Sequence, residues 1–170
     1  TMPLYGQIEV EPAITAPFTP ESLIENVFLG SGIQITSIQF NGKPEAVGYF
    51  SNGMEDIGFE EGLLLTTGES WQADRANNSA IAGSPNNSFA NSAELERLTG
   101  EKLEDVLEYV ITFRPSTDSV AFRYRFASEE YPEFGCDCFN DVFAFYIYGS
   151  GLDPNGENMA VLPNSNLPVS

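Results

Sequence analysis

The chain contains no histidine and only two lysines, Lys43 and Lys102, among 170 residues. Histidine is the usual general base near neutral pH and the commonest transition-metal ligand. Its absence argues against Ser/His/Asp and Cys/His catalysis, and against zinc or copper chemistry. Seven Lys and Arg face 25 Asp and Glu, for a formal net charge of −18. Such a surface is repelled by phosphate backbones and anionic lipid, so neither nucleic acid nor a membrane surface is expected as a partner. No apolar run approaches the roughly 20 residues of a spanning helix, so no membrane insertion is expected. The chain opens Thr1-Met2-Pro3, without the basic, apolar and small-residue pattern of a signal peptide. With its many Asn, Ser and Gly, the acidic composition reads as the mature part of an extracellular protein.

Cysteine is nearly absent too. Cys136 and Cys138 are separated by one residue, too close for an unstrained bridge without a special turn. Free buried thiols, a strained local disulfide and bonds to partners outside the chain all stay open, and secretion favours the two oxidised states. A zinc site would need two further ligands that are neither Cys nor His.

Aromatic bulk is plentiful, with thirteen Phe and seven Tyr. That supplies a core for one domain able to bury roughly 70% of its unfolded surface. Thr19-Pro20-Glu21-Ser22 is an N-cap, a proline at the first helical position and an early acid, before Leu23, Ile24, Val27 and Phe28 at helical spacing. From Ile33 the period becomes two: Ile33, Ile35, Ile38 and Phe40 predict a strand ended by Asn41-Gly42. Residues 47–50 and 62–67 predict short strands. Residues 68–92 predict a long surface loop anchored by Trp71, and residues 94–106 a helix broken at Gly100. Residues 109–113 predict another strand. Residues 120–126 alternate most cleanly, with Arg123 and Arg125 pointing away from the apolar positions, and residues 142–148 are apolar on both faces, as in a central strand. The expected fold is all-β: an antiparallel β-sandwich of jelly-roll type, with one or two short helices and long surface loops. Residues 1–19 form an N-terminal extension with an exchangeable strand, in which Ile8 and Val10 face inward, and residues 20–170 form the domain proper.

The link between the last two predicted strands carries the chemistry. Glu129, Glu130, Glu133, Asp137 and Asp141 crowd there beside Asn140. Like charges at this spacing repel unless neutralised, and calcium takes six to eight oxygen ligands. Glu129 and Glu130 end one predicted strand, Asn140 and Asp141 begin the next, and with Asp137 they make a candidate calcium site. The plainer reading is a solvated acidic loop paired weakly with Arg123 or Arg125. Paired carboxylates also serve glycosidases, but nothing else indicates a catalytic sugar cleft, and no enzyme is expected. Asn77 and Asn86 fit the Asn-X-Ser acceptor, and Ser119, in Asp118-Ser119-Val120, fits a three-residue O-glycosylation acceptor.

Four motifs appear in order along the chain: Leu23 to Ile33 (LIENVFLGSGI), Ile57 to Gly68 (IGFEEGLLLTTG), Phe126 to Phe134 (FASEEYPEF) and Phe139 to Phe145 (FNDVFAF). In them the sequence resembles the choice-of-anchor L domain of secreted bacterial surface proteins. The resemblance implies an exported cell-surface or matrix β domain with no catalytic activity. The family domain continues with further strands, so the domain here is expected to lack its C-terminal ones. The Cys136-Asp137-Cys138 insert departs from a family pattern with at most one cysteine. An unpaired sheet edge invites a strand from a neighbour, which would build a fibre. The expectation is therefore an extracellular structural or adhesive domain, calcium-stabilised, with self-association or cell-surface and matrix partners. The rival is a carbohydrate-binding module, with Trp71 and the tyrosines stacking on a glycan.

Overall fold

The computed structural model describes residues 8–30, 32–75, 92–128 and 141–169. Contacts divide the chain into two units, one from residues 1–91 and 104–123, the other from residues 92–103 and 124–170. The first unit holds β1 (Glu9–Pro12), α1 (Pro20–Leu23), β2 (Ile33–Asn41), β3 (Val47–Ser51), β4 (Gly62–Leu65) and β5 (Glu108–Pro115).

The capping signal predicts where α1 begins. The Thr19 hydroxyl accepts from the Ser22 N–H at 3.2 Å, and the Ser22 hydroxyl accepts from the Thr19 N–H at 2.8 Å. This reciprocal pair satisfies two donors that a helix start leaves open. The helix continues as a π turn over Ile24–Phe28 and ends where Leu29 turns extended. It buries Pro20, Leu23 and Ile24.

Strand β3 lies between β1 and β4 in an antiparallel sheet, with Val10 opposite Phe50 and Tyr49 opposite Leu63. Both faces of β3 are covered, which is why Val47, Gly48 and Phe50 are all buried. On one face Val47 meets Leu23 and Ala13, ringed by Phe18, Val27, Phe40, Tyr49, Leu63 and Tyr109. Phe18 stacks on Tyr49 with ring centroids 4.9 Å apart, and the Tyr109 hydroxyl donates to the Pro20 carbonyl at 3.0 Å. On the other face the backbone approaches closely: a Cβ on Gly48 would lie 3.0 Å from Val10 and 3.1 Å from the Ser70 hydroxyl. Ser70 opens a 3₁₀ turn, Ser70–Asp74, is fully buried and donates to the Val47 carbonyl at 3.1 Å.

Strands β2 and β5 form an antiparallel ribbon running from Ile33 opposite Pro115 to Asn41 opposite Glu108. The apolar positions 33, 35, 38 and 40 skip a step, and the ladder shifts register there, between Ile35 and Ser37. An extra residue at this bulge keeps all four side chains on one side. Asn41-Gly42 does end β2, but no hairpin follows. A 3₁₀ turn, Pro44–Ala46, intervenes and β3 joins the other sheet.

The second unit holds α2 (Ala93–Thr99), β6 (Tyr146–Ile147) and β7 (Glu157–Asn158). The Ser92 hydroxyl accepts from the Leu95 N–H, and Gly100 closes α2 in the left-handed conformation at φ 77°. Isolated bridges join Phe143 to Val169 and Val161 to Pro168, and Ala160 and Val169 are buried.

Two predicted strands are only partly seen among the described residues. Residues 120–126 pair with no strand among the described residues; Phe122 and Tyr124 are half-buried and Arg123 and Arg125 exposed as the alternation requires, but Val120 and Phe126 are exposed as well. Among the described residues, 142–148 pair only through β6 and the Phe143 bridge. Alternation fixes which side chains seek cover. A strand also needs a partner backbone, which the pattern of one segment does not specify. The fold is all-β, built from antiparallel pairs with two short α-helices among the described residues.

Candidate functional site

Of the predicted calcium ligands, Glu129, Glu130, Asp137 and Asn140 lie outside the described residues, and Asp141 is half-buried at their edge. Cys136, Cys138, Asn77 and Asn86 also lie outside them. Ser119 is exposed, in a turn-like stretch rather than at a strand start, and its carbonyl accepts from the Thr117 hydroxyl at 2.9 Å. Among the described residues no three His, Cys, Asp or Glu side chains cluster as a metal site. Ile8 and Val10 are half-buried, and β1 sits in the chain's own sheet. Exchange between copies would therefore replace it with a neighbour's β1 at the same register. Trp71 is half-buried; its Nε1 donates to Glu69 at 3.1 Å and the Arg75 guanidinium covers its ring at 4.2 Å.

A second group of side chains gathers in the second unit. Strand β6 pairs Tyr146 with Asn158 and Ile147 with Glu157. Continuing that register puts Tyr148 opposite Gly156, whose φ is +78° and where a Cβ would lie 2.6 Å from the tyrosine ring. The ring rests on bare backbone, a position only glycine offers. Tyr146, two residues earlier, shares the face, with ring centroids 6.3 Å apart. Asn158 Oδ1 accepts from the Phe145 and Ala160 N–H groups, each at 3.0 Å, and fixes the ribbon. Helix α2 supplies Arg97, whose guanidinium lies 5.8 Å from the Tyr146 centroid and donates to the Asn155 carbonyl at 3.0 Å. Burial raises the Tyr148 pKa, as does the Glu94 carboxylate one turn earlier in α2, while Arg97 lowers it. The alternating tyrosines are visible in sequence; their meeting with Arg97 is not, because it depends on how α2 docks.

On the first unit the Tyr49 hydroxyl donates to Glu61, and that bond, burial and the charges of Glu61, Glu11 and Glu60 push its pKa up to about 12. Tyr109 is raised as well, first by burial and then by Glu21. A raised tyrosine pKa means that the folded state holds a proton the unfolded chain releases near pH 10. The stabilisation is complete below pH 10 and is lost as pH rises towards 12. Denaturant melts should therefore show stability falling through that window, with a shallower fall in Tyr49→Phe. An unchanged slope in that variant would remove Tyr49 from the account.

The described residues form antiparallel β pairs in a chain with a heavy carboxylate surplus. The chain belongs to the choice-of-anchor L domain family, whose profile matches residues 10–170. It is a secreted or cell-surface bacterial protein on that ground. Among the described residues no helix is long and apolar enough to cross a membrane. No curated protein and no solved structure matches the chain.

Proposed function

We propose that this chain is a non-catalytic structural or adhesive domain of the bacterial surface, stabilised by calcium at the acidic connector. The observation that carries the reading is the crowding of Glu129, Glu130, Asp137, Asn140 and Asp141 in a chain of net charge −18. Bringing such carboxylates together costs free energy that a divalent cation returns, and millimolar calcium is typical outside cells. The absence of histidine fits a role without proton transfer.

Thermal unfolding in calcium against chelator tests this. A site with Kd of about 0.1 mM adds about 1.8 kcal/mol at ~2 mM calcium. For a chain of this size that is a rise in Tm of roughly 4–7 °C. The rise should vanish in Glu130→Gln and in Asp141→Asn. Equal melting in calcium and chelator would return the connector to an ordinary solvated loop.

A further inference from the structure

We propose that the face made by Tyr146, Tyr148, Arg97 and Glu94 binds a neutral β-linked polysaccharide, with one pyranose ring stacked on Tyr148. The inference goes beyond the calcium-stabilised scaffold and stands on different residues. Tyr148 is 53% exposed although one side of its ring rests on Gly156. One side of the ring is thus backed by the Gly156 backbone, its hydroxyl bonds to Glu94 and much of the ring is open to water, so its orientation is restricted before any ligand arrives. An aromatic ring held this way presents a flat apolar surface at small entropic cost.

The groups around it supply the polar half of sugar recognition. Arg97 spends a donor on the Asn155 carbonyl and is anchored over Tyr146, leaving further N–H groups on an exposed side chain for hydroxyl oxygens. Glu94, on the same helix, is hydrogen-bonded to the Tyr148 hydroxyl and keeps further acceptor capacity beside that ring. Donor, acceptor and flat aromatic face together match a pyranose, whose hydroxyls ring its edge and whose axial C–H bonds make an apolar face. Equatorial β-linkages keep successive C–H faces flat enough to lie on tyrosine. The net charge of −18 disfavours polyuronates and sulfated glycans, which leaves neutral chains. Trp71, the sequence-predicted platform, is less suited: Arg75 covers its ring and its N–H is taken by Glu69.

The full chain should be titrated calorimetrically with cellohexaose, chitohexaose and laminarihexaose, and with an oligogalacturonate as the charged comparison. The expected result is binding of at least one neutral oligomer with Kd of about 1 mM or tighter. Tyr148→Ala should weaken it about tenfold and Tyr148→Phe by no more than about threefold, with Trp71→Ala unchanged. Melting curves check that each variant is folded. Should Tyr148→Ala unfold, Glu94→Gln and Arg97→Gln replace it, each expected to weaken binding about fivefold. No binding of any neutral oligomer at ~10 mM, or binding untouched in the folded variants, would overturn the proposal. So would dependence on Trp71, or tighter binding of the oligogalacturonate. The calcium melt reads other residues, so either result can fail without the other.

Discussion

Leu23→Ala is expected to lower stability by about 3 kcal/mol, within the roughly 2–5 kcal/mol that such core truncations cost. Leu23 is 0% exposed and meets Val47, also 0% exposed, and Ala13 in the middle of the first unit's core. Its position on α1 faces β3, and the surrounding Phe18, Phe40 and Tyr109 rings are held by stacking and by the Tyr109 bond to Pro20. Neighbours held in this way relax little into a void, so the cavity penalty adds to the lost transfer free energy. Urea unfolding followed through Trp71, which lies in the same unit, reads the change as a lower midpoint at an unchanged slope. Leu162→Ala provides the contrast: that side chain is 42% exposed and should move stability by less than about 0.5 kcal/mol. A loss below about 1 kcal/mol for Leu23→Ala would show that the core closes somewhere else.

Gly53→Ala is expected to cost about 2 kcal/mol, as overpacking of a fixed backbone does. Gly53 is buried at the start of the link between β3 and β4, and its carbonyl accepts from the Ile57 N–H at 2.9 Å and the Gly58 N–H at 3.2 Å. A Cβ there would lie 2.7 Å from the Phe59 carbonyl oxygen and 3.0 Å from the Ile57 side chain. The carbonyl cannot rotate away as a side chain would, and the Gly53 N–H donates to the Glu60 carbonyl at 3.2 Å, holding the two ends of the link together. Gly100→Ala separates this clash from backbone strain. It has φ of +77° and nothing within 4 Å of an added Cβ, so only the left-handed conformation is penalised, by about 1 kcal/mol. If both variants lose the same amount, crowding is not what fixes glycine at position 53.

Where the determinants of structure are local, the sequence already displays them. Thr19, Pro20 and Ser22 encode the start of α1 within four residues, and Gly100 its counterpart at the end of α2. The spacing of Ile33, Ile35, Ile38 and Phe40 contains both β2 and its bulge. Pairing is different. Nothing in β2 names β5 rather than β3 as its partner, because alternation repeats in every strand and the choice depends on what α1 covers. The same gap bears on residues 120–126, whose alternation holds in exposure only from Phe122 to Arg125 and which pair with no strand among the described residues. The candidate calcium connector is legible only as composition, five oxygen-bearing side chains in a short run, with Asp141 alone among the described residues. The Tyr148 face was half legible: the tyrosines alternate in one strand, but Arg97 and Glu94 arrive on a helix far away in sequence.

The β2–β5 ribbon joins residues that are 67 apart at Asn41 and Glu108, and 76 apart at Thr36 and Thr112. In a chain exported amino terminus first, β2 is outside while some 220 Å or more of extended polypeptide still has to follow before its partner appears. Throughout that interval its apolar side chains and both of its hydrogen-bonding edges are open, and a matching edge on another copy would fit them. Pairing with that copy would be fast and wrong. The carboxylates are charged from the moment each segment reaches water, and like charge on neighbouring copies opposes that pairing.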